Sequence, residues 1–387
     1  MHTFPSATVG IVMALMCGCS DLAKGTAGDA GSPPRVAGGD GGARPETNAP
    51  LDGTATALGP TERGVILVHA ATFPSFRLCF ENEPNTLPQP DATVMPEANV
   101  VGAEVGSAVR LPPRQGVPGR VFLFEEALIR PLYAAFGGTG SEEWTCGKLL
   151  GSPTRSADAI LLGSLDAPLS EGVHLLVVHG CPKSTAVRTY TAAECGAGYS
   201  GQSTLTISDT VLQGTARASD ELPVQVVHLS QALETSRQGK TLSVSFGKLG
   251  GAMKVVATDP PLFGQPAAPE RLAYAPDATA EYATTGFRVA YGSGADAGAL
   301  FSVEQSLARV QKLSSPRDLP QNYYAQASNY VLLMLGDPAP KLADGGVDDD
   351  ERRGLHLLAV PVIEPRDAGA DSGPDAGAVL AAASDGG

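Results

Sequence analysis

The chain has 387 residues, 43% of them hydrophobic but only 5% aromatic, and 41 acidic side chains against 27 basic ones leave a formal charge of −14. Such a chain repels nucleic-acid phosphates and anionic lipid headgroups, which argues against both as electrostatic partners. The plain reading of the acidity is solubility.

Residues 9–16, Val-Gly-Ile-Val-Met-Ala-Leu-Met, form a short apolar run ending at Cys17-Gly18-Cys19-Ser20. The run is far shorter than the roughly 20 residues that span a bilayer, so residues 1–18 read as a secretory signal. With small Gly18 before Cys19, the junction resembles the lipobox of bacterial lipoproteins, in which the cysteine is acylated and becomes the mature N-terminus. Bulky Met16 makes Cys17 the poorer match. One departure is that no Lys or Arg precedes Lys24, whereas a signal peptide opens with positive charge. The resemblance implies a lipid anchor at Cys19 and a place in the cell envelope. Ser20, rather than Asp, implies the outer membrane under the sorting rule of some diderm bacteria.

Residues 19–62 are rich in Gly, Ala, Pro, Asp and Thr, and residues 364–387 share that character, with Asp367, Asp371 and Asp375 among Ala and Gly. Neither stretch can bury enough apolar surface to offset its ordering entropy, so both are expected to be disordered. A tether of about 40 residues spans roughly 35 Å, enough to hold a folded body clear of a membrane.

Between the tails, short Val, Ile and Leu runs alternate with Gly, Pro and Asp clusters. Strands are expected at 65–70, 76–80, 108–111, 120–124, 173–178, 203–207, 224–229, 241–246, 253–257, 287–291, 330–335 and 355–360. Phe76, Leu78 and Phe80 alternate with Arg77 and Cys79, the period of a half-buried strand. A helix over 125–133 would be interrupted by Pro131, and Val303, Leu307 and Val310 share helical spacing. Many short strands with few helices indicate an all-β body.

A repeat is also visible. Val65–Ala70 aligns with Val224–Leu229 through His69 and His228 at an offset of 159, Val173–Val178 with Tyr330–Leu335 at 157, and Ser203–Ile207 with Leu355–Ala359 at 152. Lys148–Pro153 falls against Lys312–Pro316 at 163 to 164. Matches in one order suggest a duplicated domain: a β-sandwich over 63–209, a linker over 210–221 and a second sandwich over 222–363. The opening strands resemble those of a bacterial family of unknown function whose domain begins V-x-V-V-H-A-S-P and often occurs in tandem. In this chain Ala71-Thr72 and Ser230-Gln231 replace the Ser-Pro. The family implies an immunoglobulin-like or transthyretin-like sandwich in each repeat and no enzymatic activity.

Four cysteines lie in the body, an even count that favours disulfides in an exported protein. Cys181 and Cys195 sit on the loop between two strands of one hairpin, which predicts their pairing and leaves Cys79 for Cys146, with Trp144 close by to cover that bridge. No Cys/His cluster has zinc spacing, so no metal and no cofactor are expected. His69 and His228 each end an apolar strand, where an imidazole can fix a turn through backbone hydrogen bonds. His174 and His179, five apart on one strand, face opposite ways and cannot easily share a metal.

Ser245-Phe246-Gly247-Lys248 matches the S-x-x-K of serine β-lactamases without the downstream elements those enzymes need. Gly292–Ala297 loosely matches a dinucleotide loop but lacks an alternating β and α context. Asp348, Asp349 and Asp350 lack calcium-loop spacing. No catalytic constellation is complete. The expected function is a non-catalytic, lipid-anchored envelope or surface protein that binds an envelope protein or polymer or serves structurally; the alternative is a hydrolytic enzyme whose site is assembled from distant residues.

Overall fold

The computed structural model describes Leu58 and residues 61–81, 102–111, 116–135, 145–186, 188–274, 281–292, 300–314, 322–340 and 351–364. Cys19 with its signal, most of the tether, the tail, Trp144, residues 293–297 and Asp348–Asp350 lie outside them.

The body is all-β in character, four sheets with a few short helices. Its first half contains β1 (Gly64–Ala71), β2 (Phe76–Phe80), β3 (Ala108–Leu111), β4 (Gly119–Glu125), β5 (Ile160–Leu165), β6 (Val173–Gly180) and β7 (Thr206–Leu212), with helices α1 (Glu126–Ala135), α2 (Cys146–Gly151) and α3 (Ala192–Cys195). The second half contains β8 (Glu221–His228), β9 (Thr241–Lys248), β10 (Met253–Thr258), β11 (Glu270–Ala273), β12 (Thr285–Gly292), β13 (Phe301–Ser306), β14 (Asn329–Leu335) and β15 (His356–Val362), with α4 (Gln231–Arg237) and α5 (Leu307–Ser314). β7 runs through Leu212, into the segment expected to join the halves.

Each half pairs its strands in the same order. β3-β1-β6-β7 face a second sheet, β2-β4-β5; β11-β8-β14-β15 face β10-β9-β12-β13, in which β10 is an added strand. In both central sheets the inner pair is parallel, β1 with β6 and β8 with β14, flanked by antiparallel neighbours. This explains why the opening strands are apolar at nearly every position: a strand covered on both faces has no solvent side to mark with polar residues. Val65 and Leu67 enter the core of the first half, whereas Ile66 and Val68 enter a separate core shared by the two halves. Leu332 and Met334 likewise turn into the second half while Leu333 and Leu335 turn to the shared core.

That shared core draws on Leu175 and Val177 from β6 and on Val331, Leu333, Leu358 and Val360 from β14 and β15. Fully burying one such side chain stabilises by about 1.5–3 kcal/mol, so the faces of the two central sheets strongly favour contact over water. All the described residues belong to one compact unit.

Several sequence expectations change here. With His69 set against His228, the parallel registers place His174 opposite Val65 and Tyr330 opposite Val224, so β6 and β14 correspond at 156 rather than 157. A one-residue slip exchanges the two faces of a strand, and a run apolar on both faces gives no parity to read. The Lys148 and Lys312 segments are not equivalent, because α2 precedes β5 whereas α5 follows β13. β2 is buried at all five positions rather than half-buried. Its far side is covered by Phe124, Ile129, Leu132 and Leu149, and the charge of Arg77 is met by Glu126. α1 continues through Pro131, because burying Ile129 and Leu132 outweighs the one helical hydrogen bond that proline removes. Val303 belongs to β13, and the helix begins at Leu307.

Candidate functional site

The repeat-equivalent histidines stand at the ends of β1 and β8, both fully enclosed. His69 Nδ1 lies 3.0 Å from the Ala103 carbonyl, so that nitrogen carries the proton, and the ring packs edge-on against Phe76 at 4.5 Å. Nε2 is buried without a partner. Burial pushes the His69 pKa down to about 4. His228 Nδ1 instead accepts the Ser230 N–H at 3.4 Å, which turns its protonated Nε2 towards Glu234 Oε2 at 3.3 Å. Glu234 is held by Arg237, which also reaches Asp259. Burial brings His228 to about 4 as well, although Glu234 acts the other way. Both rings brace turns.

His174 pairs with Asp209 at 2.9 Å, half of the arrangement a general base needs. Its Nε2, the atom that would take a proton from a nucleophile, faces the Glu171 carbonyl at 3.0 Å. The pair is thus closed at both ends, and the Asp209 hydrogen bond raises the His174 pKa. His179 faces the other way from His174. It stacks on Phe263 of the second half at 4.0 Å, and burial lowers it to about 4. Phe263 adopts φ 52°, a strained backbone for an aromatic residue. His356 lies between the Gly354 and Gly106 carbonyls, at 2.8 and 2.7 Å, and so bridges the halves. Beside it Arg352 pairs with Glu104. Gly106 has φ +68°, and a Cβ there would meet the Arg352 carbonyl at 2.1 Å, so glycine is required.

The motif candidates do not assemble. Ser245 and Lys248 lie on strand β9 rather than on a helix, and their odd spacing puts them on opposite faces. β12 and β13 form an antiparallel pair around the Gly292 loop, whereas a dinucleotide loop leads from a strand into a helix. Among the described residues no group of three His, Cys, Asp or Glu is placed to hold a metal, and no helix is long and apolar enough to cross a membrane.

The four body cysteines stand as two pairs, Cys79 with Cys146 and Cys181 with Cys195, with Cα separations of 5.3 and 5.6 Å. The first joins β2 to α2 beneath Phe124 and Leu149. The second closes the excursion between β6 and β7, residues 181–204. That loop carries further bracing: Thr191 and Glu194 form a capping box on α3, and the Tyr199 hydroxyl donates to the Pro182 carbonyl at 2.6 Å. Gly196 sits directly against Gln231 of α4, so the loop rests on the second half. Arg188, exposed, lies over the Tyr190 ring at 4.7 Å. The sequence carried one signal for this order, Thr-Ala-Ala-Glu at 191–194, the spacing of a capping box.

No family model, curated protein or solved structure matches the chain.

The histidines give the body a two-sided pH dependence. His69, His179 and His228 have pKa values lowered to about 4, so the unfolded chain binds more protons between pH 6.5 and 4. Their stabilisation is complete above about pH 6.5 and is lost as pH falls towards 4, of the order of 3 kcal/mol for His69. His174 is raised, so its contribution is complete below about 6.5 and is lost as pH rises through the raised value. Urea denaturation from pH 4 to 9 should show both limbs. His174→Gln should flatten the alkaline limb alone; an unchanged alkaline limb would contradict the assignment.

Proposed function

We propose that the chain is a non-catalytic, lipid-anchored envelope or surface protein, tethered at Cys19, whose body is a binding or structural module built from two tandem immunoglobulin-like or transthyretin-like sandwiches. The tandem reading rests on the common strand order of the halves and on the resemblance of the two opening strands.

The observation that carries the functional reading is the use made of the five described histidines. His69 and His228 brace turns, His174 is closed between Asp209 and Glu171, His356 links two carbonyls, and His179 packs against an aromatic ring. Each is committed to the framework, while the disulfide-closed loop between β6 and β7 carries exposed polar side chains among its described residues. A rigid scaffold presenting an ordered loop suits recognition.

The test is retention. The full mature chain, immobilised, should hold back a reproducible component of envelope extracts without altering it. Release of soluble fragments from envelope polymer by the purified chain would establish the hydrolytic alternative instead.

A further inference from the structure

We propose that the Cys181–Cys195 bridge is a site of thiol–disulfide exchange, open at Cys195 to a dithiol reductant, and that its reduction releases α3 from α4 while the rest of the body stays folded. The two bridges are placed differently. Cys79 and Cys146 are 0% and 2% exposed and lie among Phe124, Ile129, Leu132 and Leu149, so a reagent meets their sulfurs only when that cluster opens. Cys181 is as deeply buried, but Cys195 ends α3 half-buried, with Glu194 before it and Ala197 beyond it both exposed. Disulfides within reach of solvent are the labile and regulatory ones, whereas enclosed ones resist reduction.

What the bridge holds follows from the size of α3. The helix has 4 residues, far below the roughly 12 that an isolated helix needs in water. Its cap Thr191 and its residues Ala192, Ala193 and Glu194 are all exposed, so it has no apolar face to bind it to the body. The bridge ties it to Cys181 just beyond β6, and in that position α3 packs on α4 of the second half. Gly196 closes the contact: a Cβ there would meet Gln231 Nε2 at 3.0 Å. The base of the excursion is held without the bridge. The Cys181 N–H donates to the Thr204 hydroxyl at 3.0 Å, and the Thr204 N–H donates to the Cys181 carbonyl at 2.8 Å. Opening the bridge therefore frees α3 and leaves β6 paired with β7.

The exchange needs a dithiol as co-reactant. One of its thiolates attacks Cys195 Sγ, and the Cys181 sulfur leaves with the bonding pair and takes up a proton. The second thiolate then attacks the sulfur of the reductant in the mixed disulfide, so Cys195 leaves in turn and is protonated. Two electrons have entered the protein, both of its cysteines are thiols, and the reductant departs as its own disulfide. Attack on Cys195 rather than on Cys181 follows from burial, since a thiolate must approach the sulfur it displaces. The consequence is a contact between the two halves, α3 on α4, that is set by the redox state of one bridge.

The experiment treats the folded full chain with dithiothreitol at neutral pH, traps free thiols with an alkylating reagent and maps the labelled peptides by mass spectrometry. Cys181 and Cys195 should be alkylated while Cys79 and Cys146 remain joined. Hydrogen exchange on the same samples reads the release. The amides of Glu194 and Cys195, which donate to the Thr191 carbonyl, should lose protection on reduction, and those of Cys181 and Thr204 should keep theirs. Cys181→Ser with Cys195→Ser should show the exchange pattern of the reduced chain with no reductant added. Labelling of all four cysteines together, or of none until denaturant is added, would overturn the exchange site. Equal protection of the α3 amides in the oxidised and reduced chains would overturn the release.

Discussion

Glu126→Ala is expected to destabilise the body by about 3–5 kcal/mol, because it leaves the Arg77 charge buried without its partner. Arg77 is 1% exposed, on a strand whose far side is closed by the Phe124, Ile129 and Leu149 cluster. Its guanidinium donates to Glu126 Oε1 at 2.9 Å. Arg130 also reaches that carboxylate, at 3.2 Å, but its side chain is 46% exposed and water can take over its share. The cost therefore falls on Arg77. Replacing both partners with apolar residues of similar volume, Arg77→Met with Glu126→Leu, should recover most of the loss, since no charge then remains to be desolvated. Urea denaturation measures both. A single-variant loss under about 1 kcal/mol would mean that the pair is solvated.

Removing the Cys79–Cys146 bridge should cost more than removing Cys181–Cys195. The first closes a sequence separation of 67 residues and the second one of 14, and the chain-entropy relation gives about 4 and about 3 kcal/mol respectively. The wider bridge also sits inside the cluster that covers Arg77, so its loss should expose the pair as well. The narrower bridge braces a surface loop. Comparing Cys79→Ala/Cys146→Ala with Cys181→Ala/Cys195→Ala in denaturant would check this; a reversed order would contradict the account of the covered strand.

What the sequence made legible follows from which residues face water. β2 and β3 fall where alternation and turn residues bounded them, at 76–80 and 108–111. The cysteine pairing was readable because a hairpin limits which cysteines can meet. The relative register of β6 and β14 was not, since Val173–Val178 and Tyr330–Leu335 are apolar on both faces and parity leaves no mark. Arg77 was misread for a related reason: alternation alone cannot tell a solvent face from one covered by helices. The roles of the histidines were only partly accessible. That His69 and His228 brace turns follows from their position at strand ends. The contact of His356 with the Gly106 carbonyl joins residues 250 apart in the chain, and no local pattern announces it. The loop between β6 and β7 carried its capping box in plain sight, at Thr191 and Glu194.

The central claim is that this β body is held at the envelope by a lipid on Cys19, and mass spectrometry of the N-terminal peptide of the membrane-associated chain tests it most directly. The account predicts a mature chain that begins at Cys19 and carries acyl groups there. An unmodified chain beginning at Met1, recovered from the soluble fraction, would contradict it.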